Sequence, residues 1–262
     1  MTRLRRITIA LSIGTLIGGC ATPQDPDPAD VLEALSDFQP SYTSSWSAET
    51  GIDLFSRGAE LVRASLEAGW QTSMYTFKDS FPGYREAIDY PHNTNRDITW
   101  GVQTENTAND RVGEFTTYYH ITELSESPTE VTASICKDIV NTEPVIYDSP
   151  TRHGYSWTVA LRNTSDTPGL PGIVDTDPDN HDPHARRTPD WDVFGTWKIT
   201  RLTPDSLDTE RNVADPACTT WWLANHPDTL RVVDNFTFRP PGTVPGVPRA
   251  PQYPEWIGPS QP

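Results

Sequence analysis

The chain has 262 residues, 36 acidic against 20 basic, for a formal net charge of −16, and only 35% of it is hydrophobic. That length fits one domain with tails. Nine Trp, nine Tyr and eight Phe put large apolar areas into few side chains, so a buried core is within reach and whole-chain disorder is excluded. The acid excess, with lysine only at positions 78, 137 and 198, argues against a nucleic-acid partner, because phosphate binding needs clustered cations.

Residues 1–6 carry Arg3, Arg5 and Arg6 and no acid. Ile7 to Gly19 is an apolar and small-residue run of 13, too short for the roughly 20 residues of a spanning helix. It predicts the hydrophobic core of a signal peptide over residues 1–19. The run ends in Ile17-Gly18-Gly19-Cys20, which resembles the lipobox of bacterial lipoproteins. The resemblance implies a diacylglycerol on the Cys20 sulfur, cleavage before it, and a protein held on the extracytoplasmic face of the cell membrane. Two acyl chains hold a protein stably where one does not. Ordinary secretory cleavage and an uncleaved anchor are the other accounts of the same run.

Loss of the three arginines takes the net charge from −16 to −19, so anionic headgroups would repel the body. Residues 20–29 are rich in Pro and Asp and predict a semi-rigid tether reaching roughly 25–30 Å.

With Cys20 assigned to lipid, Cys136 and Cys218 remain and allow a single disulfide, which an oxidising compartment permits. Two buried free thiols are the alternative. No zinc-type Cys/His spacing occurs.

The body predicts helices first. Ala29 to Phe38 is a short amphipathic candidate. A second helix is expected from a Thr50 cap, with Ile52, Phe55, Ala59, Val62 and Leu66 as its apolar stripe and Gly69 as its stop. Pro82 to Ile88 is a third. From Ile98 the period becomes two, clearest at Phe115–Thr122, Val131–Cys136, Tyr155–Arg162 and Val193–Ile199, which predicts an antiparallel sheet. Asn163 to Asp190 is a polar insert of 28 residues, uncommon in a compact domain unless functional or mobile. Pro216 to Asn225 predicts a helix with Pro in its first turn and with Cys218, Trp221 and Trp222 on one face. Val232 to Phe238 predicts a last strand. Residues 240–262 hold eight prolines and predict an extended, disordered tail. The class is α+β: one domain over 30–239, with the insert at 163–190.

The apolar helix Ile52–Trp70, the Val131–Asp138 strand, Trp157–Arg162 and Trp197–Ile199, taken together, resemble the nuclear-transport-factor-2-like fold. The likeness is to exported actinobacterial lipoproteins of that kind. It implies helices packed on a curved, cone-like sheet with a pocket, a scaffold that serves ligand binding, catalysis or assembly alike.

Tyr118, Tyr119, His120 and Asp138 are the candidates for lining such a pocket and transferring protons. Strand alternation sets Tyr119 and His120 on opposite faces, and aromatic pairs in strands usually belong to cores. Asp175, Asp177, Asp179 and Asp182 alternate as at the start of a calcium loop. Asn180 stands where that loop needs Gly, and Arg186 where it needs Glu, so a solvated acidic loop is the simpler account. His181 and His184 add a transition-metal variant of the same idea. No nucleotide, dinucleotide or serine-hydrolase motif is present, and no cofactor is expected. The expected function is non-enzymatic binding of a small ligand or an envelope partner protein. The rival is an isomerase- or dehydratase-like enzyme acting inside the cone.

Overall fold

The computed structural model describes residues 40–91, 94, 97–99, 113–165, 171, 172, 174, 182–205, 215–233 and 236–259. The signal segment, Cys20, the tether, the Ala29–Phe38 helix, Asp175, Asp177, Asp179 and His181 lie outside them. The class is α+β, with an open curved sheet as the main body of the core.

Strand β1 (Thr43–Ala48) comes first and has no counterpart in the sequence expectations. Helices α1 (Arg57–Met74) and α2 (Tyr84–Ile88) follow, then β2 (Phe115–Glu126) and β3 (Glu130–Asn141). Short strands β4 (Val145–Tyr147) and β5 (Thr151–Arg152) lead into β6 (Tyr155–Asn163). After β7 (Ala185–Arg186), β8 (Trp197–Pro204) completes a five-stranded sheet in the order β1-β2-β3-β6-β8. The sheet is not purely antiparallel as predicted, because β1 runs parallel to β2, joined to it by the long crossover that a parallel pair requires. Register shifts at Ile121/Glu123 and at Ala160/Leu161 bend and twist the strands locally, which gives the sheet its curve.

Helix α1 starts later than its apolar stripe suggests. Asp53 Oδ1 accepts from Phe55 N at 2.9 Å, a local turn that competes with helix. Ser56, not Thr50, is the cap, its Oγ accepting from Ala59 N at 3.3 Å. Gly69 does not stop the helix; it is buried within it, and five further residues follow. A mid-helix Gly costs about 1 kcal/mol, less than the packing of that turn returns. Helix α2 begins at Tyr84 rather than Pro82, because Gly83 before it sits at φ +79°, a left-handed conformation that glycine alone adopts without strain.

Leu61, Val62 and Leu66 of α1 lie in one apolar cluster with Ile121, Ile135, Val159, Leu161 and Ile199 of the sheet. The opposite side of α1 is buried as well, including Glu60, Arg63 and Glu67, and the residues after 240 explain why. That segment is no disordered tail. Strand β11 (Gly242–Val244) pairs with β4, and β12 (Trp256–Ile257) with β7. Between them the chain runs along the outer side of β1: Trp46 N donates to Tyr253 O at 2.8 Å, and Tyr253 N to Ser44 O at 3.0 Å. The prolines have no N–H to give, so the residues among them make these bonds and the segment forms a strap.

On the other face of the sheet, Cys136 and Cys218 are bonded, with α-carbons 5.2 Å apart. Helix α3 (Pro216–Asn225) has the predicted limits, capped by Asp215 Oδ1 on Ala217 N. The predicted Val232–Phe238 strand is instead a pair, β9 (Arg231–Val233) against β10 (Phe236–Arg239). Among the described residues no helix is long and apolar enough to cross a membrane.

Candidate functional site

Successive side chains of β3 point to opposite faces. Lys137 follows Ile135 onto the α1 side, and Asp138 follows Cys136 onto the α3 side. The disulfide therefore anchors α3 one pleat away from Asp138, and the residue that ends α3, His226, reaches it. His226 Nε2 lies 2.5 Å from Asp138 Oδ2. The turn between β5 and β6 supplies His153, whose Nε2 is 3.2 Å from Asp138 Oδ1. Its backbone N donates to Thr237 O at 2.8 Å, which fixes the turn to β10. Next to it, Gly154 has φ +70°, and a Cβ there would come within 2.2 Å of the Trp222 ring. Only glycine lets that indole lie against the turn, where its Nε1 donates to Lys137 O at 3.3 Å.

Arg239, at the end of β10, completes the group with Nη2 3.2 Å from His153 Nδ1. A guanidinium can only donate, so Nδ1 presents its lone pair and the ring proton of neutral His153 sits on Nε2. The Nε2 contact to Asp138 is close enough for a charge interaction but is not aligned as a hydrogen bond. Burial would push the Asp138 carboxyl up, but the hydrogen bond from His226 and electrostatic attraction to His153, His226 and Arg239 hold it below its usual range. Burial pushes His153 down to about 4, against the pull of Asp138 and with help from Arg239 and His226.

Asp138, His153, Gly154 and Arg239 border a cavity of about 340 Å³, at the small end of the roughly 300–1,000 Å³ common for ligand sites. Trp70, Tyr147, Tyr155 and Trp157 give it aromatic walls, and Ile139 stands among them partly exposed. Three cationic side chains share the lining, each over an aromatic ring. Lys137 Nζ is 3.1 Å from the Trp70 ring centre, Arg152 is 4.4 Å from that of Phe236, and Arg239 is 5.6 Å from that of Tyr147. Such contacts partly replace lost hydration. Burial still pushes Lys137 well below its ordinary pKa.

Of the sequence candidates, Asp138 alone lies on this wall. Tyr118 pairs with Asp138 across the strands but does not line the cavity. Tyr119 is fully buried and stacks on Trp46 at 4.3 Å. His120 accepts or donates at Ser47 Oγ (2.8 Å), faces Glu49, and stacks on Trp221. Sequence reasoning missed His153, His226 and Arg239. The available signal was the Cys136–Cys218 pairing: whatever it docks beside Cys136 also meets Asp138, two residues along the same face.

Asp182 Oδ1 accepts from His184 N at 2.7 Å, and His184 is exposed. Among the described residues the one group of three metal-ligand side chains is Asp138, His153 and His226, with donor atoms within 4.8 Å of one another. The residues do not fit a cation. Arg239 takes the Nδ1 lone pair of His153 and thereby puts a proton on the nitrogen that would have to ligate, and its own charge repels a metal ion.

No family model, curated protein or solved structure matches this chain.

Proposed function

We propose that this chain is a membrane-tethered lipoprotein of the bacterial cell envelope, held by Cys20, whose body binds a small ligand without transforming it. The observation that carries the binding half is the aromatic-walled cavity of about 340 Å³ at the end of the sheet. A helix laid on a curved sheet with a cavity at its end also supports the cone-like, nuclear-transport-factor-2-like reading; β1 and the strap are additions to it. The tethering half rests on the lipobox-like Ile17–Cys20 run, and the Cys136–Cys218 bridge suits the oxidising side of a membrane.

Binding is favoured over isomerase-like chemistry because the proton-handling atoms are already occupied. Asp138 is held ionised between two histidines, and the lone pair of His153 faces Arg239. A general base needs a free atom within reach of its substrate.

Two measurements test the proposal. Cys20→Ala should move the protein from the membrane to the soluble fraction; a variant that stays membrane-bound overturns the tether. Aryl-propanoic probes should quench the fluorescence of Trp70 and Trp157 in the full chain. Quenching should vanish in Ile139→Trp, which plugs the cavity from its exposed wall. No response to any probe overturns the binding reading.

A further inference from the structure

The cavity wall carries a buried cationic donor that no acceptor satisfies. Arg239 is 5% exposed, and its Nη1 has no hydrogen-bond partner among the described residues, while Nη2 is spent on His153. His153 is 8% exposed and turns its Nε2 to Asp138 Oδ1 at 3.2 Å, on the far side of the ring from Arg239. Leaving a buried donor unsatisfied costs about 1–3 kcal/mol, more for a charged one, so a guanidinium nitrogen without an acceptor on a cavity wall is an unfilled requirement. A guanidinium can only donate, and the missing group is therefore an oxygen acceptor.

Its charge follows from the neighbours. In this chain of net charge −16, Arg152 and Arg239 both border one small space whose acid is Asp138, beside a Lys137 whose charge burial disfavours. Asp138 sits on the same wall and repels negative charge, so the cationic surplus suits one negative charge rather than two. A metal ion is excluded by the same Arg239. The rest of the wall is Trp70, Tyr147, Tyr155 and Trp157, which suits an apolar or aromatic body.

We infer that the cavity binds a monocarboxylate with an apolar or aromatic body, its carboxylate accepting from Arg239 Nη1. The inference rests on the reading of this cavity as a ligand site and names the ligand's class. Arg239 becomes a binding residue, and His153, backed by Asp138, positions it.

The test compares matched probes by calorimetric titration of the full-length wild-type protein: 3-phenylpropionate, its neutral amide 3-phenylpropionamide, and the dianion phenyl phosphate. The carboxylate should bind at least about tenfold more tightly than the amide, the scale of charge-assisted hydrogen bonds, and more tightly than phenyl phosphate. Arg239→Gln should erase the preference for carboxylate over amide, and Ile139→Trp should abolish binding of both. Should Arg239→Gln fail to fold, the wild-type comparison and Ile139→Trp decide alone. Equal affinity for carboxylate and amide overturns the carboxylate assignment and leaves the ligand site standing. Tighter binding of phenyl phosphate overturns the single-charge assignment. Carboxylate binding that survives Ile139→Trp overturns the location. No binding of any probe overturns both the inference and the ligand site.

Discussion

Glu67 and Asp138 are both carboxylates at 3–4% exposure, and each pins a C-terminal segment onto the core. Glu67 holds the strap. It accepts from the indole of Trp46 at 2.7 Å, the indole of Trp256 at 2.9 Å and the amide of Gln252 at 3.2 Å, two of the three donated from the strap. Asp138 holds the end of α3 through His226 and the β5–β6 turn through His153. Burial raises the pKa of both groups. At Glu67 it prevails over its hydrogen bonds and Arg63, and the carboxyl rises to about 7. At Asp138 the imidazoles and Arg239 prevail, and the carboxyl falls below its usual range. Equal depth thus gives opposite proton affinities, because neutral N–H groups solvate a carboxylate less well than groups that carry or can acquire positive charge.

The largest test of this contrast removes the covalent support on one side only. Cys136→Ser with Cys218→Ser opens a loop of 82 residues' separation and should cost about 4.5 kcal/mol in the chain-entropy model. Denaturant melts should show that loss, and hydrogen exchange should rise in α3 and leave the strap protected. Equal loosening of the strap would break the separation of the two sides.

Next, Asp138→Asn should cost about 3 kcal/mol, since it leaves Arg239 buried beside two histidines without its counter-charge. Glu67→Gln measured in parallel at pH 8 should cost far less, because the wild type there already bears the cost of a desolvated charge. Similar losses in the two variants would erase the contrast.

The pH dependence of stability sharpens it further. A folded pKa near 7 against an ordinary 4.5 means the folded chain binds the Glu67 proton more tightly. Its contribution is full below about 4.5 and is lost as pH rises through 7, at most about 3 kcal/mol. His153, lowered to about 4 from 6.5, acts the other way: its contribution is present above 6.5 and is lost as pH falls towards 4. The two titrations oppose each other between pH 4.5 and 6.5. The difference in melting temperature between wild type and Glu67→Gln should therefore grow steadily from pH 8 to pH 5; a constant difference contradicts the raised carboxyl.

The smallest expected effect is that of Trp256→Phe, which keeps a ring and deletes one N–H bound to Glu67. It should cost about 1 kcal/mol and shift the pH profile of stability upwards, since Glu67 loses a donor that favours its charged form.

Elements with local signals were legible in the sequence. Helix α3 carried its own cap in Asp215-Pro216, and β2, β3 and β6 alternated cleanly. What was lost depended on distant partners. Strand β1 alternates weakly and is defined by β2 on one side and Tyr253 on the other. The strap read as disorder because composition registers its prolines but not the bonds made between them. At the site, Asp138 was legible through its place on a strand, whereas His153 and Arg239 meet only because β10 pairs with β5, a contact across 86 residues.

The strap has a consequence for how molecules of this protein behave together. Its bonds to β1 join residues about 200 apart, as between Thr43 and Ala250 at 2.7 Å, and contacts of such span form late in folding. Until they form, β1 offers a bare row of amides and carbonyls, the edge along which one chain pairs with another and aggregates. Closing that edge makes the Pro-rich segment a safeguard of solubility during folding as well as a layer of the finished core.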